Sequence, residues 1–188
     1  LLGDPRQSYS ILWKNLITAQ PIRISILEEK KMGTKVAAAR FDGNQDLALK
    51  HALELIGGVE DLNSEKRNVV VKVGVFSHET GQHTTVEVVD AITRSFDKAP
   101  KIFLAESDNY KGTGTERLQI WKQLFTHRVV PFNLSEDTDT RQFTIAGENI
   151  PLSHILFKPN VLVSTHVLRT FERGSILKNL FGLIPDTK

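Results

Sequence analysis

The run NVVVKVGVF, residues 68–76, constrains the fold more than any other stretch of this chain. It is β-branched and almost unbroken in its hydrophobicity, with no alternating polar positions to face water. A strand of that kind must be covered on both faces, which is the situation of a central strand in a parallel sheet. One residue breaks the run. Lys72 puts an ammonium inside it, and a cation in a buried strand must either pair with an acid or point into a site.

The neighbouring segments supply the rest of a βαβ pattern. VAAARF, within Lys35 to Phe41, is a short apolar run bounded by Gly33 and Asp42-Gly43 and reads as a strand. QDLALKHALELIGG follows as a helix, with Leu47, Leu49, Ala52, Leu53 and Ile56 at helical spacing. Asn44 or Gly43 caps it, and Gly57-Gly58 supplies the left-handed stop. TVEVVDAITRSFDKA is the next helix, capped by Thr84 or Thr85, with Glu87 in capping-box position to Thr84.

Pro100 ends that segment, and KIFLAES is a second buried strand. NYKGTGT is a glycine-containing loop leading into ERLQIWKQLF, a helix with Thr115 as its cap. VVPFNL is a third strand, TDTRQFTIAGENIPLSH a hairpin around Gly147-Glu148, NVLVST a last buried strand and GSILKNLFG a short helix. The alternation predicts an α/β fold: a mostly parallel, doubly wound, Rossmann-like sheet flanked by helices, with a small β-hairpin insertion.

Composition narrows the function classes. A net charge of +2 spread over 188 residues, with acids interleaved among the bases, forms no basic face for nucleic acid. No stretch approaches the eighteen or so apolar residues of a membrane span. The chain has 0 cysteines, so it holds no disulfide, no thiolate nucleophile, no cysteine-ligated zinc and no iron–sulfur cluster. That fits a reducing compartment, and the expected location is cytoplasmic. Oligomeric state and cofactor stay open. The single methionine, Met32, is expected to mark either a natural start, with residues 1–31 as an upstream extension, or a chain cut from a longer protein; residues 32–188 read as one α/β domain. FGLIPDTK closes on a turn, and the domain is expected to continue past Lys188.

In sheets of this class ligands bind beyond the carboxyl ends of the strands. That rule selects three loops: Ser77 to Thr85, Glu106 to Thr115, and Thr165 to Arg173. The first holds His78, Glu79 and His83, donors of the kind a metal takes, but a solvated pair of loop histidines is the plainer reading and no metal site is assigned. Thr84 and Thr85 can offer hydroxyl and N–H groups to an anion at a helix start, or simply cap the helix.

In the second loop Glu106 stands at a strand end, as a proton-transfer group or as a loop cap. Gly112 and Gly114 can present backbone amides to an anion, although KGTGT matches neither GxGxxG nor a Walker loop. The third region gathers His166, Arg169, Arg173 and Lys178 within thirteen residues. Such cations and an imidazole suit a small anionic ligand, or equally a solvated basic face. No GxSxG, HExxH or catalytic cysteine is present.

The order of these motifs carries a resemblance. VVVKVGV, GQHTTVEVVDAI, IFLAES and LKNLFGLIP, taken in sequence, resemble the α/β family called domain of unknown function 362, over about Val36 to Pro185. The resemblance aligns Lys72 with that family's strand lysine, Thr84 and Thr85 with its paired threonines, and Glu106 with its strand-end acid. Lys178, Asn179 and Gly182 align with its closing motif. Val73-Gly74 stand where the family has Pro-Asn, and its Lys-Thr-His segment has two alternative placements, at Arg169-Thr170 or Thr165-His166. The ferredoxin-like module fused to many members has no counterpart in a chain without cysteine.

The resemblance implies a fold and site positions but no reaction, so two function classes follow. In one, an enzyme holds a small anion with Lys72 and a basic residue among Arg169, Arg173 and Lys178, while Glu106 or His166 moves protons; a nickel-pincer racemase-like arrangement is one version. In the other, a non-catalytic accessory or binding domain serves redox or metallocofactor assembly. Convergence of Lys72, Glu106 and His166 in one hydrogen-bonded network favours the first.

Overall fold

A computed structural model of the chain describes residues 35–77, 81–145, 147–167 and 176–185. The chain divides between Ala38 and Ala39, and the later unit, Ala39–Lys188, contains every helix and strand described below.

The β-branched run does form the middle of a sheet. Strand β1 (Val69–Lys72) is buried at all four positions. It pairs in parallel with β2 (Ile102–Glu106) on one side and with β6 (Val161–Ser164) on the other. Beyond β2 lies β3 (Val129–Asn133), also parallel, giving the order β3-β2-β1-β6. The order runs outward from β1 in both directions, so the sheet is doubly wound, and its winding reverses between β1 and β6. β4 (Thr140–Ile145) and β5 (Glu148–Ser153) form a separate antiparallel hairpin, with Gly147 at its tip in a left-handed conformation, φ +88°.

Helix α1 (Gln45–Ile56) starts at Asn44, whose side chain accepts from the Leu47 amide at 3.1 Å, and stops at Gly57, φ +102°. Helix α2 (Val86–Ser95) joins β1 to β2, and α3 (Gly114–Leu118), prolonged by a 3-10 turn over Gln119–Leu124, joins β2 to β3. Strand alternation sorts the sheet into two faces. Val69, Val71, Ile102 and Leu104 pack with Val89, Ile92 and Phe96 from the α2 segment and Leu118 and Trp121 from the α3 segment. On the opposite face Val70, Ala105 and Leu134 form a smaller cluster. Ile155 and Leu156 of the 3-10 turn His154–Leu156, and Leu183 of the 3-10 helix Ile176–Leu183, pack against it.

Two expectations are corrected and one open alternative is decided. Residues 35–41 carry no strand: Val36 and Phe41 are exposed, and an apolar run without a neighbouring ladder leaves its N–H and C=O groups to water. The cap of α3 is Thr113 rather than Thr115, because Glu116 stands three residues after Thr113 and completes a capping box. Thr115 bonds Glu136 at 3.1 Å instead. At α2 the cap is Thr85, which leaves Thr84 to turn inward.

Candidate functional site

β1 and β2 end side by side, with Lys72 in register with Ala105. By parity the Lys72 side chain leaves the sheet on the Val70 face and Glu106 on the Leu104 face. Their charged ends meet past the last rung of the ladder. Lys72 Nζ donates to Glu106 Oε2 at 2.9 Å, to Val73 O at 2.9 Å and to Asn179 Oδ1 at 3.2 Å, so all three ammonium protons have acceptors. Both residues are 2% exposed. Burial pushes the Lys72 amine below the ordinary lysine range; Glu106 opposes that shift, and Arg117 adds to it.

Asn179 binds the C-terminal 3-10 helix to this pair. Its side-chain amide donates to Thr165 O at 2.8 Å, Ser164 Oγ at 3.0 Å and Lys72 O at 3.2 Å, while its oxygen takes the lysine proton. Gly182, on the same helix, rests directly on the ion pair. A Cβ there would lie 2.8 Å from Lys72 Cε and 2.9 Å from Glu106 Oε1, so only glycine fits without displacing the pair.

A third charge completes the cluster. Arg117, on α3 and 1% exposed, donates through Nη1 to Val75 O at 3.0 Å and through Nη2 to Ser107 O. Nη2 also lies 3.6 Å from Glu106 Oε1, which accepts from the Ser107 amide at 3.0 Å. Among the described residues the buried Nε of Arg117 has no acceptor, and neither has the indole Nε1 of Trp121, four residues further along. Sequence reasoning passed over Arg117, although its spacing was legible: it precedes Trp121 by four and Leu124 by seven, on the apolar side of its helix.

The remaining residues singled out from the sequence divide clearly. Thr84 is buried, with its hydroxyl accepting from Thr165 Oγ1 at 3.0 Å and its amide donating to Gly74 O at 2.8 Å. Gly74 is another forced glycine, since a Cβ would meet Thr165 O at 2.7 Å. His166 follows Thr165 and passes close to Gly74, so it borders the network through the β6 loop. Thr85 caps α2, and Lys178 is exposed. His83 packs edge-on against Trp121. His78, Glu79, Arg169 and Arg173 lie outside the described residues.

Gly112 and Gly114 do not form an open anion cradle. The Gly114 amide donates to Asp108 Oδ1 at 2.8 Å and the Thr113 amide to Glu116 Oε2 at 3.0 Å, so carboxylates of the chain already take those donors. Gly112 is a turn residue, φ +144°, exchanging backbone hydrogen bonds with Asn109. No group of three or more metal-ligating side chains occurs among the described residues.

The sheet edge therefore gathers Lys72, Glu106, Arg117, Thr84, Thr165 and Asn179 under one cover. No family model, curated protein or solved structure matches the chain, and the family resemblance rests on its motifs alone.

Proposed function

We propose that the carboxyl edge of the sheet binds a small anionic ligand. The charge count of the buried cluster among the described residues carries this reading: two cations, Lys72 and Arg117, face the carboxylate of Glu106. Asp108 of the adjoining loop and Glu116 in the first turn of α3 accept from the Gly114 and Thr113 amides. A buried charge without compensation is costly, and an incoming carboxylate or phosphate relieves it. Arg117 suits either group, with Nε as the donor left over. Because all three charges are closed off from solvent, entry requires the covering chain to part, and slow association is expected.

The test is thermal melting with inorganic phosphate, simple carboxylates and sugar phosphates. A ligand that binds only the folded chain raises Tm by mass action. The rise should vanish in Lys72→Met, which leaves Arg117 and Glu106 as a balanced pair. If no anion raises Tm, the proposal fails.

A catalytic version draws on one observation, the lowered pKa of Lys72, which brings its neutral amine closer to use as a base or nucleophile. Gly182 seated over the amine favours binding without turnover, as in an accessory domain, while the cover is closed.

A further inference from the structure

We infer that the ligand of this edge carries a flat ring beside its anionic group, as a mononucleotide does. This rests on the anion-binding reading and adds what surrounds Arg117. Its guanidinium is tied between two loops through Val75 O and Ser107 O. Phe76 directly follows Val75, and Tyr110 lies three residues past Ser107. Their rings meet edge to face, centroids 5.9 Å apart at 69°. Phe76 is 41% exposed and Tyr110 78%, although aromatic side chains gain most by being buried.

This aromatic step is preformed. Asn109 and Gly112 exchange two backbone hydrogen bonds of 3.1 Å, and Asn109 Oδ1 accepts from the Lys111 amide at 2.7 Å. The left-handed Gly112 closes the turn that holds Tyr110 out. Phe76 is fixed by its amide bond to Gln82 O at 3.2 Å, beside the Val75–His83 bridge. Lys111 Nζ stands 5.4 Å from the Tyr110 ring centroid, adding a cation at the rim. A bare phosphate uses only the cations of this edge. A ligand with a base attached uses both features, its base stacked on the step and its anion turned toward Arg117. Stacking tolerates any base, so the step sets a ligand class rather than one nucleotide.

The experiment compares AMP, ribose 5-phosphate and adenosine by titration calorimetry on the full chain and on Phe76→Ala and Tyr110→Ala. AMP should bind about tenfold or more tighter than ribose 5-phosphate. Both variants should bring AMP down to the level of ribose 5-phosphate and leave ribose 5-phosphate itself unchanged. The two side chains are exposed, so an unchanged Tm confirms that the fold is intact. Equal binding of AMP and ribose 5-phosphate overturns this inference and leaves the anion site standing. Adenosine binding as tightly as AMP overturns the required anion; absence of binding by both phosphates overturns this inference, and the anion reading falls with it when inorganic phosphate and simple carboxylates also leave Tm unchanged.

Discussion

On the α2–α3 face of the sheet, Val69, Val71, Ile102 and Leu104 disappear under Val89, Ile92, Phe96, Leu118 and Trp121. Across the same strands, Val70 and Ala105 have among the described residues only Leu134 as a fully buried apolar companion, and the next side chain along β1 on that face is a lysine. Apolar burial scales with area removed from water, so the first face is held mainly by packing, with the Arg117–Glu106 contact at its carboxyl end. The second is closed by a 3-10 helix whose attachment runs through the four hydrogen bonds of Asn179 and through Gly182 on the ion pair. Hydrogen bonds and ion pairs are directional and yield less net stability than packing. The difference teaches that the carboxyl edge is specified by geometry and the helical face by volume.

The largest effect should come from charge. Glu106→Gln leaves Lys72 and Arg117 buried without a carboxylate, and removing one partner from a buried ionic cluster costs about 3–5 kcal/mol. Lys72→Met leaves Arg117 with Glu106 and should cost clearly less in the same urea titration. Equal losses would contradict the charge imbalance at this edge.

Next in size is a contrast between the faces. Leu104→Ala should cost roughly 3 kcal/mol by emptying volume in the helical core, and should speed amide exchange throughout the sheet. Asn179→Ala should cost less, about 1–3 kcal/mol, with faster exchange confined to the Ile176–Leu183 segment and the Thr165 amide. Exchange that rises everywhere in both variants would mean that the two faces are not held differently.

The smallest effect is a pH dependence. The folded chain holds the Lys72 amine at a lower pKa than the unfolded chain does. Between those two values the unfolded chain carries more bound protons, so stability rises with pH just beneath the ordinary lysine range, and below the folded value this group adds no further pH dependence. Lys72→Met lacks that rise. A wild-type stability that falls relative to Lys72→Met across the same alkaline window would reverse the assigned sign.

Much of the helical face was legible because burial leaves a periodic trace. The glycine stop of α1 and the turn at Gly147 follow from local chemistry and are where they are expected, while the strand expected over 68–76 is confined to Val69–Lys72. VAAARF misled because an apolar run records hydrophobicity and not the presence of a partner strand. Arg117 gives no such trace by residue type, because an arginine in a helix ordinarily faces water; here two loop carbonyls and Glu106 draw it inward, and those partners belong to loops and a strand end outside its helix. Lys72 was noticed for the right reason, since a cation in a buried strand demands an answer, but the sequence did not reveal Asn179 and Gly182 as the parts that enclose it.

The pairing of β1 with β6 has a consequence for the order of assembly. Val69 pairs with Val161 only after two crossovers and the hairpin have been traversed, and contacts so distant along the chain form late. β1, β2 and β3 can come together before β6 exists during synthesis. Asn179 lies later still, and its bonds to Thr165 O and Ser164 Oγ need β6 in place. The Lys72 ammonium therefore completes its set of acceptors only after Asn179 has emerged. A chain halted before Val161 would present β1 as an open edge beside a hydrated lysine, a template for pairing with other chains that completion of the sheet removes.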